Sequence, residues 1–164
     1  TYLGHSDGKV SVINRGIEKE IDVGETAVSS LGIVMGKLFI AMESGDLMDS
    51  KGEYKYNLDG VIDGIVSGPG ANECKFLWVI CWSKICKISA INTLRRTIDI
   101  NINHDFRIRK MDSDGEILVL GDSNGKIFLI EENVLMRRLK SNDITVEKDE
   151  RRTLLKEKLR RMRT

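Results

Sequence analysis

Residues 2–13 read Y-L-G-H-S-D-G-K-V-S-V-I, and residues 119–130 read V-L-G-D-S-N-G-K-I-F-L-I. Leu3, Gly4, Ser6, Gly8, Lys9 and Ile13 return as Leu120, Gly121, Ser123, Gly125, Lys126 and Ile130, each 117 residues later. Val10 and Val12 return as the similar Ile127 and Leu129. Each copy is a pair of apolar strands around a tight polar turn. Asp7-Gly8 and Asn124-Gly125 are strong hairpin signals, because such turns need positive φ and glycine supplies it without a Cβ clash. A hairpin said twice at long range predicts an array of small β units.

Two weaker copies lie between. Leu38–Met42, the turn Glu43-Ser44-Gly45 and Asp46–Met48 form one. Phe76–Trp82, Ser83 and Lys84–Ile88 form the other, with its turn glycine lost. Aligned on the first apolar residue after the turn, the copies fall at Val10, Leu47, Ile85 and Ile127, in steps of 37, 38 and 42 residues. Further strands are predicted at Ala27–Val34, Tyr54–Leu58, Val61–Val66, Arg95–Asn101, Phe106–Met111 and Val134–Leu139. Gly68-Pro69-Gly70, with the sole proline, reads as a loop. A step near 40 residues with four strands per unit is the propeller-blade pattern.

In period, strand rhythm and hairpin, residues 1–140 resemble the WD-repeat family of β-propellers. No Trp-Asp closes a unit, and Gly4-His5 falls late in a strand. The family's His-Ser-Asp-Trp hydrogen-bond set is therefore carried over to no residue. The expected fold is all-β: a β-propeller of about four blades, or the C-terminal part of a larger ring, with a C-terminal amphipathic α-helix. The expected domains are 1–140 (blades, an incomplete ring beginning mid-blade at Thr1) and 141–164 (linker and basic helix).

The tail changes character. From Glu147 onward the pattern is helical: Leu155, Leu159 and Met162 fall at i, i+4 and i+7, beside Leu154. Thr145 suits an N-cap, acids occupy the first turns and arginines the last. Residues 151–164 hold seven Lys/Arg against one acid, a net of +6, whereas the rest carries 19 Lys/Arg against 24 Asp/Glu, a net of −5. Leu155, Leu159 and Met162 form a stripe bordered by Arg151, Arg152, Lys156, Arg160, Arg161 and Arg163. The stripe and its arginines are the candidate partner-binding residues. Aromatic residues are absent from the tail, so phosphate contact there would be electrostatic rather than by base stacking.

Catalytic, cofactor and metal sites are not expected. His5 and His104 are the only imidazoles, and no nucleophile–base pattern accompanies them. Cys74, Cys81 and Cys86 lack Cys-x-x-Cys spacing and read as reduced structural thiols. Asp112–Glu116 and Asp122–Gly125 read as hairpin turns rather than calcium loops, since strands flank them. Trp78 and Trp82 read as core packing between blades. No apolar run is long enough for a membrane span.

The family resemblance implies a non-catalytic scaffold that holds other protein subunits together in an intracellular, nuclear or cytoplasmic, multi-subunit assembly. The alternative is a propeller subunit of a ribonucleoprotein (such as a ribosome-assembly complex) or chromatin complex, touching RNA or DNA through the basic helix. A propeller enzyme is the third reading; scarce histidine argues against it. Salt dependence separates the first two, because phosphate contacts weaken steeply with salt.

Overall fold

The computed structural model describes residues 1–71 and 74–137. Among the described residues, fourteen strands form four antiparallel sheets in chain order. The first holds β1 (Tyr2–Gly4), β2 (Lys9–Asn14) and β3 (Ile17–Asp22). The second holds β4 (Val28–Val34), β5 (Lys37–Met42), β6 (Asp46–Asp49) and β7 (Lys55–Asn57). The third holds β8 (Val61–Ala71), β9 (Cys74–Trp82), β10 (Cys86–Asn92) and β11 (Thr97–His104). The fourth holds β12 (Ile108–Ser113), β13 (Ile117–Asp122) and β14 (Ile127–Glu131). Each sheet is a meander, and the sheets pack in series: β1 against β4, β4 against β8, β8 against β12. β4, β8 and β12 are the inner strands, around a common axis.

One irregularity fixes the equivalence of the blades. Each inner strand carries an extra residue near its start: Ser29, Asp63 and Arg109. The ladder resumes at Ser30↔Ala41, Gly64↔Ile80 and Lys110↔Gly121. Ala41, Ile80 and Gly121 are thus equivalent, and their partners on the next strand are Leu47, Ile88 and Ile127. Gly4 and Val10 take these places in the first sheet. The repeat therefore falls at Val10, Leu47, Ile88 and Ile127, in steps of 37, 41 and 39 residues. Ile85, the expected member, lies instead within the turn. The third hairpin is two residues longer than the others, extending its ladder to Trp82↔Cys86.

Three apolar clusters sit between successive blades. Val10 meets Leu38, Ile40 and Met42. Phe39 and Leu47 meet Ile62, Leu77 and Val79. Trp78, Ile80 and Ile88 meet Ile108, Leu118 and Leu120. Every inner blade is thus apolar on both faces, so the strand sequences read as near-continuous apolar runs (F-L-W-V-I-C-W) rather than alternating ones. The reading of Trp78 as inter-blade core holds.

Two further expectations are corrected. Gly68-Pro69-Gly70 is no loop; it is the buried end of β8. A register break between Gly68 and Ala71 lets a residue without an N–H sit in the strand. The Pro69 carbonyl accepts a 2.8 Å hydrogen bond from Trp78 Nε1. A Cβ on Gly68 would come within 2.8 Å of the Trp78 ring, so glycine is what lets the indole lie on this strand. Val134–Leu139 is not a strand over its described part: residues 132–137 are helical. The turn places Leu135 in the cluster between the third and fourth sheets, while the Glu132 amide closes the β14 ladder on Glu116 O at 2.9 Å. Acidic residues suit the start of such a turn.

Candidate functional site

The residues singled out from the sequence, Leu155, Leu159, Met162, Arg151, Arg152, Arg160, Arg161 and Arg163, all lie outside the described residues, as does the predicted C-terminal helix. The described chain offers three places where function could reside: one rim, the axis, and the face of the last sheet.

The upper rim carries the Gly8, Gly45 and Gly125 turns, and all three glycines have positive φ. Between the third and fourth sheets it holds an ion pair and a histidine–carboxylate contact. Arg107 donates through Nε, at 2.7 Å, and Nη2 to the two oxygens of Asp63, the extra residue of β8. Its guanidinium lies 5.9 Å from the Trp82 ring centre, a cation–π contact. The Asp63 hydrogen bond, against some desolvation, raises the Arg107 pKa. His104 Nε2 lies 3.1 Å from Asp122 Oδ2, and its ring meets the Phe128 and Phe106 rings edge-on. Asp122 Oδ1 accepts the amides of Asn124 and Lys126 at 2.9 and 2.8 Å. Burial pushes this carboxyl upward, but the Lys126 amide, His104 and the Asn124 amide outweigh it and hold it below the usual range. His104 is the last residue of β11, so this contact joins the third sheet to the fourth.

Around these pairs Val61, Ile85 and Phe106 are exposed and Trp82 is half-buried. Val61 and Cys86 both pair with Trp82, and Ile85 precedes Cys86, so these side chains share one end of the third sheet. Of these, Trp82 was read from the sequence as inter-blade core and is only half-buried, and none was read as a contact surface. The signal that could have found them is the extra length of the third hairpin.

The remaining candidate groups are held in structure. His5 Nε2 lies 2.8 Å from Ser11 Oγ. Asp114 Oδ1 accepts the amides of Glu116 and Ile117, closing a turn as expected. Cys74, Cys81 and Cys86 are free thiols. Burial pushes Cys81 up to about 11 and raises Cys86 as well. At the axis, Tyr2, Leu31, Ile33, Ile65, Ser67 and Ser113 are among the residues lining an open cavity of about 460 Å³, and no carboxylate or imidazole lines it. At the lower rim, Glu116, Ile117, Glu131, Glu132 and Asn133 line an acidic notch. Among the described residues no helix is long and apolar enough to cross a membrane.

No protein-family model matches the sequence. No curated protein sequence matches it either. Solved structures do match. BBS1N, solved in complex with ARL6DN, is similar over 78% of this chain and 45% of its own, with a TM-score of 0.64 and 11% identity. The β-propeller domain of Cps50 (Swd1) from Myceliophteria thermophila is similar over 82% and 49%, with a TM-score of 0.60 and 11% identity. BamB from Moraxella catarrhalis is similar over 80% and 42%, with a TM-score of 0.59 and 15% identity. The fold is a β-propeller. The chain spans less than half the length of each of these three structures. At such identities the likeness carries the fold alone.

Proposed function

We propose that this chain is a non-catalytic, WD-repeat-like propeller scaffold that holds other protein subunits together in an intracellular assembly. The observation that carries the reading is the upper rim of the third blade. Val61, Ile85 and Phe106 expose apolar side chains around a half-buried Trp82 at the one hairpin longer than its counterparts. Beside it the Arg107 and Asp63 charges are already paired. Such an apolar centre with a polar border is the anatomy of a protein–protein contact. BBS1N, one of the propellers of similar fold, was solved bound to a protein. Residues 141–164 are assigned to a linker and a basic packing helix, whose Leu155, Leu159 and Met162 seek a protein surface and whose arginines seek acidic groups.

The test is to express the tagged chain in its own cells and purify it with its stoichiometric partners. Phe106→Ala/Ile85→Ser should release a protein subunit with little dependence on salt. If Arg160→Glu/Arg161→Glu alone releases a partner, with a steep salt slope, the nucleic-acid reading replaces this one. A chain that purifies without any stoichiometric partner would sink the scaffold reading altogether.

A further inference from the structure

The fourth sheet has a face that no described residue covers. Its other face, Leu118, Leu120, Phe128 and Ile130, packs on the third sheet. The open face carries Ile117 and Val119 on β13 and Ile127 and Leu129 on β14, with Val119 opposite Leu129. Their exposures are 37, 38, 73 and 61%. At the places equivalent to Val119 and Ile127, the second sheet has Phe39 and Leu47 and the third has Trp78 and Ile88, none more than 4% exposed. The open face is therefore built as an interface. On the axis side it is flanked by Lys110 and Asp112 of β12. At the lower rim it runs into the notch of Glu116, Glu131 and Glu132, with Val134 exposed nearby. Lys75 takes part of the Glu132 charge at 3.0 Å, whereas Glu116 and Glu131 have no cationic partner among the described residues.

We propose that residues 151–163 of this same chain occupy that face, with Leu155, Leu159 and Met162 on Ile117, Val119, Ile127 and Leu129, and the basic side chains reaching Glu116 and Glu131. The inference deepens the reading of these residues as a packing helix and is independent of the scaffold role. Dimensions fit: an i to i+7 stripe spans about 10 Å of helix, and a helix about 10 Å wide covers two strands roughly 4.8 Å apart. Charge fits: seven Lys/Arg against one acid in residues 151–164 face an acidic notch. The tether fits as well. Residues 138–146, ahead of the helical pattern, can span about 30 Å when extended, and tethering raises the effective concentration to the order of millimolar. A second copy fits less well. The open face of its first sheet shows Glu18 opposite Ile13 and Glu20 opposite Ser11; Lys9 takes part of the Glu20 charge at 3.4 Å, and Glu18 would bring a like charge to the notch.

Zero-length carbodiimide cross-linking of the intact 164-residue chain, mixed from two isotopic labels, and amide hydrogen exchange test the assignment together. Intrachain cross-links from Lys156 or Lys158 to Glu116 or Glu131 are expected, with amides 153–162 exchanging at least about tenfold slower than in a free peptide. Leu129→Asp, an exposed position that leaves the sheets folded, should abolish that protection. Leu159→Asp, which cannot disturb the sheets, should speed exchange at β14. Protection that survives Leu129→Asp overturns the docking site but leaves the packing-helix reading standing. Unprotected amides in the unaltered chain overturn both. Cross-links found only between the two labels overturn the intrachain assignment and put the tail of a second copy on the face.

Discussion

Gly45→Ala should cost far more than Gly125→Ala, although the two glycines hold the same place in the repeat and the same left-handed backbone, φ +89 and +80. A Cβ in that region costs about 1–2 kcal/mol wherever it stands. At Gly125 nothing lies within 4 Å of the added atom, so that strain is the whole effect. At Gly45 the new Cβ would lie 2.1 Å from the Leu58 carbonyl oxygen and 2.6 Å from that of Gly60. The chain leaving β7 crosses here, and Leu58 N donates to Gly45 O at 2.8 Å. Backbone must move and that hydrogen bond is lost, adding a further 2 kcal/mol or so for a total of about 3–4 kcal/mol. Among the described residues the fourth sheet has no strand after β14, so none of them crosses its turn. Urea unfolding followed by the fluorescence of Trp78 and Trp82 measures both variants. Asparagine separates the two causes, since it tolerates positive φ. Gly125→Asn should be nearly neutral and Gly45→Asn as damaging as Gly45→Ala. Equal losses at the two glycines would refute the crossing-chain argument.

Trp78→Phe strands the buried Pro69 carbonyl and should cost about 1–3 kcal/mol in the same unfolding experiment. The folded-state pKa of Asp122 lies below its unfolded value, so its contribution is present above the ordinary carboxylate range and is lost as pH falls through the depressed value. Stability measured against pH should decline in acid, and Asp122→Asn should flatten that decline. The Cys81 thiol, held near 11, and the buried Cys86 should resist maleimide at pH 7.5 in the folded chain and react once urea unfolds it, as mass spectrometry would show.

What was legible in the sequence was what is local. Asp7-Gly8 and Asn124-Gly125 announce their turns because positive φ is a property of the turn itself. The third hairpin was misaligned because Ser83-Lys84-Ile85 has no glycine to mark it, and its two additional residues show only in the ladder. Gly68-Pro69-Gly70 looked like a loop because its reason for being straight is the Trp78 ring, supplied by the next strand. The His104–Asp122 and Arg107–Asp63 pairs join residues 18 and 44 apart on different blades, and no sequence spacing announces them.

The last sheet shows how burial depends on the neighbour rather than on the strand. Leu47 and Ile127 hold one place in the repeat, yet one is buried and the other mostly exposed. I-L-V-L and I-F-L-I are apolar at every residue, and a strand with one solvated face would alternate. The composition of β13 and β14 therefore belongs to a sheet meant to be covered on both sides. Single apolar residues on a surface need no explanation, but four in register on adjacent strands form a contiguous patch of the kind that marks a contact. Whatever lies there must present apolar side chains to Ile127 and Leu129 and tolerate the acids at the lower rim. A basic segment with a narrow apolar stripe meets both conditions, and an acidic sheet face meets only the first.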